Sequence, residues 1–94
     1  MIVRIVRMTF SEGNADAFHT IFEKYYDTIL GMPGCSHLEL LQDIDDSDVF
    51  VTHSHWESVE DLNAYRQTDF FVTVWTETKK LFREKAIAFS LKQV

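Results

Sequence analysis

The sequence predicts an α+β domain: a ferredoxin-like split βαβ arrangement with a four-stranded antiparallel sheet and its helices on one side. Three observations lead there. Short runs rich in β-branched and other apolar residues, "IVRIVRMTF" and "AIAFSLKQV", stand at the two ends of the chain. Two extended runs, "CSHLELLQD" and "VFVTHSHWE", flank the polar turn "IDDSD", which is a hairpin signature. Segments with apolar residues at helical spacing separate that hairpin from each end strand. The order is therefore strand, helix, strand, strand, helix, strand.

Each element has its own justification. Ile2 to Phe10 is nearly continuous in apolar content, as expected of an inner strand apolar toward both faces. Next, Phe18, Ile21, Phe22, Tyr25 and Ile29 recur at helical spacing, with Glu23, Lys24 and Asp27 mostly opposite. Ser11 or Asn14 is the expected cap, and Gly31, Pro33 and Gly34 stop the helix. Pairing the hairpin across a loop from Ile44 to Asp48 sets Leu41 against Val51, Glu39 against His53 and His37 against His55. Ser58 and Asp61 form the spacing of a capping box that opens a short helix through Leu62 and Tyr65. Thr68 or Asp69 caps a further helix, predicted to run through "TDFFVTVWTETKKLFREK" with Phe71, Val74, Trp75, Thr78, Leu81 and Phe82 as its buried stripe. Lys79, Lys80, Arg83 and Lys85 suit the negative end of its dipole.

Composition narrows the partners. The 94 residues make a single domain, 1–94, with 46% hydrophobic and 14% aromatic residues. A net charge of −6 repels a phosphate backbone and argues against nucleic acid. The lone Cys35 forms no internal disulfide, which fits a reducing compartment. Arg4 and Arg7 interrupt the apolar start, so it does not read as a signal peptide, and no run is long enough to span a bilayer. A cytoplasmic protein without a membrane partner is expected. The outward residues Val3, Ile5, Ile87, Phe89 and Leu91 leave the second sheet face apolar, and a small domain buries only about two-thirds of its unfolded surface. Both facts predict a homodimer packed sheet against sheet.

The stretch "THSHWES" divides by parity, because strand side chains alternate between faces. Its outward set joins His53 and His55 to His37 and Glu39, the ligand inventory of a transition-metal site. The rival reading is a hydrogen-bonded surface cluster that holds no metal. Its inward set is Thr52, Ser54 and Trp56. The small hydroxyl residues leave space there, flanked by Trp56 and overlooked by Tyr65, Phe71 and Trp75. Such a hollow suits a flat aromatic ligand; equally, the rings could fill the core of a small domain. No Gly-rich phosphate loop and no paired-cysteine motif occurs. Cys35 is expected to pack as a small apolar residue, and "DIDDSD" to be a solvated hairpin tip.

Taken in order, "PGC", "LELLQD", "HWES" and "VEDLNAYRQTDFF", followed by an aromatic-rich helix, resemble the antibiotic biosynthesis monooxygenase-like family from Ile2 to about Leu91. The resemblance implies a dimeric α/β barrel with a pocket between sheet and helices in each subunit. It also implies an oxidoreductase that oxidises quinol- or anthrone-like aromatics with no cofactor, or else a non-catalytic binding or interaction domain of the same fold. Trp56 matches a position where aromatic residues line the family's cavity. Other positions depart from family patterns. Thr52 stands where polyketide-oxidising members have Asn, and Tyr65 and Phe70 stand where many small members carry His. The Asn, Trp and His of the haem-degrading branch would fall on Val6, Tyr65 and Trp75, and none is kept. Tyr65 becomes the candidate catalytic residue, donating a hydrogen bond or, were its pKa lowered, relaying a proton. Thr52, Ser54, Trp56, Phe71 and Trp75 become the candidate substrate contacts.

Overall fold

The computed structural model describes residues 1–94. Its elements run β1 (Ile2–Thr9), α1 (Asn14–Leu30), β2 (Cys35–Gln42), β3 (Val49–Trp56), α2 (Val59–Arg66), α3 (Asp69–Lys79) and β4 (Ile87–Lys92). The sheet order is β2-β3-β1-β4 and every neighbouring pair is antiparallel. Since β3 lies between β1 and β2, those two run parallel, which makes β1-α1-β2 a split βαβ unit. The predicted fold class is the observed one, and β1 takes the inner position its apolar content called for.

The hairpin register is also as expected: Glu39 pairs with His53 and His37 with His55. A bulge at Ser36 shifts the register, so that Cys35 faces Trp56. The acidic tip closes on itself: Asp43 Oδ1 accepts from the backbone N–H of Asp45 at 2.8 Å and of Asp46 at 3.1 Å.

Alternation then sorts the two faces. Met8 and Phe50 lie opposite each other on the inner face, beside the pair Val6 and Thr52. A buried cluster of Met8, Phe10, Phe18, Phe22, Leu38 and Phe50 joins this face to α1. Val3, Ile5, Ile87, Phe89 and Leu91 fall on the opposite face, where no element of the chain covers them.

Three helix N-caps were specified in the sequence, and two behave as read. Ser58 Oγ accepts from Asp61 N–H at 3.1 Å, and Thr68 Oγ1 from Phe71 N–H at 3.0 Å. At α1 neither Ser11 nor Asn14 caps. The N-cap is Gly13, in the left-handed region at φ 84°, with no side-chain cap. The Asn14 amide turns away toward the Leu81 carbonyl instead.

The final helix is shorter than predicted. It stops at Lys79 rather than continuing through Lys85, so Leu81 and Phe82 lie outside it. The cause is tertiary. Phe82 forms a β-bridge with Phe10, and Ser11 N–H donates to the Leu81 carbonyl at 2.9 Å. Arg83 N–H donates to the Thr9 carbonyl, also at 2.9 Å. The segment gives up helical turns to extend the end of β1.

Candidate functional site

A cavity of about 310 Å³ lies between the inner sheet face and the helices. Its floor comes from alternate residues of β1 and β3, including Thr52, Ser54 and Trp56; its roof comes from α1, α2 and α3. All six candidate residues, Thr52, Ser54, Trp56, Tyr65, Phe71 and Trp75, line this one space. Since 15 of the 20 lining residues are hydrophobic, it is a place for a ring system with few polar anchors.

Local packing fixes the rings. Trp56 is only 1% exposed, and its indole Nε1 donates to Ser54 Oγ at 3.0 Å. That bond satisfies the buried N–H and holds the indole plane. Tyr65 stacks on Trp56 with centroids 4.9 Å apart and an interplanar angle of 22°. Phe71 meets Tyr65 edge-on at 5.1 Å and stacks with Trp75 at 6.1 Å. An aromatic wall thus runs from β3 across α2 to α3. Thr78 Oγ1 also borders the cavity, but donates to the Val74 carbonyl at 2.8 Å.

The two charged lining residues, Arg4 and Arg66, were not among those predicted from the sequence. The signal for Arg4 was present. It lies two residues before Val6 and four before Met8, and so shares their face. Arg66 follows Tyr65 at the end of α2, where only the packing of the helix decides its direction.

On the outer sheet face, the predicted imidazole cluster forms. His53 Nδ1 lies 2.6 Å from Glu39 Oε1, His37 Nε2 lies 3.3 Å from the same oxygen, and His55 Nε2 lies 3.0 Å from His53 Nε2. The ligand atoms of His37, Glu39 and His53 lie within 4.8 Å of one another. Hydrogen bonds from His53 and then His37 lower the Glu39 pKa. Desolvation, followed by the charges of His37 and His53, lowers that of His55. One carboxylate oxygen already serves two imidazoles, and His53 uses both of its ring nitrogens within the cluster. Nothing in it reaches the inner cavity.

The sequence profile described as antibiotic biosynthesis monooxygenase matches residues 1–76. The chain belongs to this family. Among solved structures, one named as an antibiotic biosynthesis monooxygenase is 17% identical with a TM-score of 0.91, covering 100% of this chain and 99% of its own. A Nitrosomonas europaea protein named for the same family is 20% identical with a TM-score of 0.90, over 100% and 99% of the two chains. A conserved protein from Methanosarcina mazei Go1 is 12% identical with a TM-score of 0.91, over 100% and 94%. At these identities the likeness is one of fold. No curated protein matches the sequence.

In this family member the protonation state of Tyr65 is well defined. Burial first, and then Cys35, push its pKa up to about 12. The condition for proton relay, a lowered pKa, is not met; at neutral pH Tyr65 is a neutral hydrogen-bond donor. Cys35 is itself shifted upward by burial, which keeps it a thiol.

A pH dependence follows from Tyr65. An ordinary tyrosine ionises near 10, so between about pH 10 and 12 the unfolded chain releases a proton that the folded chain keeps. Folding stability is therefore fully present below that window and declines across it, by about 2–3 kcal/mol for a two-unit shift. Denaturant midpoints for wild type and Tyr65→Phe, measured from neutral pH into this window, should diverge, with the phenylalanine variant falling less. Parallel curves would contradict the assigned shift.

Proposed function

We propose that this chain is a cofactor-independent monooxygenase-type oxidoreductase acting on a small quinol- or anthrone-like aromatic, and that it works as a homodimer in the cytoplasm. The observation that carries the reading is the convergence of six aromatic and hydroxyl residues on one apolar cavity in a member of this family. The uncovered apolar sheet face supports the dimer, and the half-buried lone thiol fits a reducing compartment.

The chemistry suits such a cavity. An electron-rich hydroxyaromatic, once deprotonated, can pass an electron to dioxygen directly. For an anthrone, the ring CH2 becomes a carbonyl: the carbon loses two hydrogens and gains one oxygen atom, and the other oxygen atom leaves as water. Four electrons leave the substrate and dioxygen accepts four. Trp56, Phe71 and Trp75 hold the ring and exclude water, while the Thr52 and Ser54 hydroxyls orient it. Tyr65 donates a hydrogen bond to oxygen that becomes more negative as the reaction proceeds.

Oxygen consumption over a panel of quinols and anthrones tests this. Turnover is expected on at least one compound, and Tyr65→Phe should lower kcat by about 10-fold or more. Ligand-induced thermal stabilisation without oxygen uptake would replace the enzyme reading with a non-catalytic binding domain. Unchanged turnover in Tyr65→Phe would remove the role given to that hydroxyl.

A further inference from the structure

Arg4 and Arg66 are the only charged side chains lining the cavity; no carboxylate or imidazole joins them. The ion pairs of the chain are made by Lys80, Arg83 and histidines, so both guanidinium groups lack an acidic partner. That is notable in a chain with 15 Asp and Glu against nine Lys and Arg. Arg4 stands on β1 in register with Ser54 of β3 and Ser90 of β4. Its Nη1 donates to Ser90 Oγ at 3.0 Å, which fixes the guanidinium without neutralising it. Desolvation, and then the charge of Arg66, lower the Arg4 pKa, as expected of two like charges near each other beside an apolar space.

A structural role accounts for only part of this. Arg66 lies in the last turn of α2, where a cation suits the helix dipole. No such reason applies to Arg4, whose neighbours on the same strand face are Ile2 and Val6. A half-buried guanidinium at that point, with a second one lining the same cavity, leaves positive potential that an anion would relieve.

We infer that the cavity takes its aromatic ligand as an oxyanion, with the negative oxygen seated at Arg4 and Arg66 and the ring against Trp56 and Tyr65. The inference deepens the oxygenase reading and rests on it for the location of the site. Guanidinium groups match a carboxylate or phenolate through paired N–H donors, and do so most strongly where water is scarce. The charge has two sources: a carboxylate fixed on the ring, or a ring hydroxyl that ionises on binding because the two cations lower its pKa. In the second case solvent can carry off the proton, and the pocket needs no carboxylate or imidazole base.

An anaerobic titration of the full chain at neutral pH distinguishes these, with 1-hydroxy-2-naphthoate and 1-naphthol as probes followed by absorbance. A fixed carboxylate predicts that the naphthoate binds about 10-fold or more tightly than the naphthol. Ionisation on binding predicts that bound naphthol shows the naphtholate band at a pH where the free compound does not. In either case Arg4→Gln and Arg66→Gln should each weaken binding about 10-fold, and Arg66→Lys should recover part of the loss. Thermal melting checks that the variants are folded; Arg66 is exposed, so its glutamine variant should melt as wild type does.

Equal binding of naphthoate and un-ionised naphthol overturns the inference. So does unaltered affinity in the folded Arg66→Gln variant, or no binding of either probe at millimolar concentration. The two readings fail separately. Oxygen uptake on a neutral anthrone without anion preference would leave the oxygenase and remove the oxyanion seat. Anion binding without oxygen uptake on any compound would do the reverse.

Discussion

Replacing Phe10 by alanine is expected to cost about 3–5 kcal/mol of folding stability, the range for deleting a fully buried ring. Phe10 is 0% exposed and lies outside the cavity, so the change reports on packing alone. Its ring stacks on Phe18 at 4.8 Å and meets Phe82 at 5.4 Å and Phe50 at 6.3 Å. These three neighbours come from α1, the segment after α3, and β3. Removing the shared ring leaves a void that none of them can close without moving an element. A small domain has only about 5–15 kcal/mol in total, so the variant should be marginal. Urea unfolding should show a lower midpoint with an unchanged slope. Phe10→Leu should retain most of the lost stability, because it refills much of the volume. A loss below about 1 kcal/mol for the alanine variant would mean that Phe10 does not hold these elements together.

The same residue shows why one helix end was not legible in the sequence. Leu81 and Phe82 continue the three-to-four spacing set by Val74 and Thr78, so periodicity alone carries the helix past Lys79. What ends it is a partner far away in sequence: the bridge between Phe82 and Phe10. The hairpin was readable because its information is local. A polar turn and two alternating strands fix the register, and with it which of Thr52, His53, Ser54, His55 and Trp56 look inward.

The cavity shows a similar division. Its strand residues follow from parity, and Tyr65, Phe71 and Trp75 follow from helical stripes that must face the sheet. Arg66 did not follow, because α2 is two turns long and too weakly amphipathic for its sequence to orient its last residue. Arg4 was hidden differently. A strand apolar toward both faces invites every charge in it to be read as an interruption, although its inner-face parity was already determined. The electrostatic character of the pocket thus emerged only once the elements were packed.

Replacing Phe89 by glutamate is expected to abolish self-association at micromolar concentration while leaving each subunit folded. Phe89 is 44% exposed on the outer face, with Ile87 at 54% and Leu91 at 51% along the same strand. It pairs with Ile5 of β1, which in turn pairs with His53 of β3, so Phe89 sits in a row that crosses three strands. A second copy laid on this face would bury that row, and a carboxylate placed there would lose much of its water with apolar Ile5, not a cation, directly opposite it. Such a penalty amounts to several kcal/mol, and about 3–4 kcal/mol already weakens association by two to three orders of magnitude. In the isolated subunit the same side chain remains solvated, so stability should change by only about 0.5 kcal/mol. Sedimentation equilibrium of wild type, Phe89→Leu and Phe89→Glu gives the comparison, with circular dichroism as the check on folding. Wild type and the leucine variant should sediment as dimers and the glutamate variant as a folded monomer. A wild-type chain that stays monomeric at tens of micromolar, or a glutamate variant that still dimerises as tightly, would mean that this face is not where two copies meet.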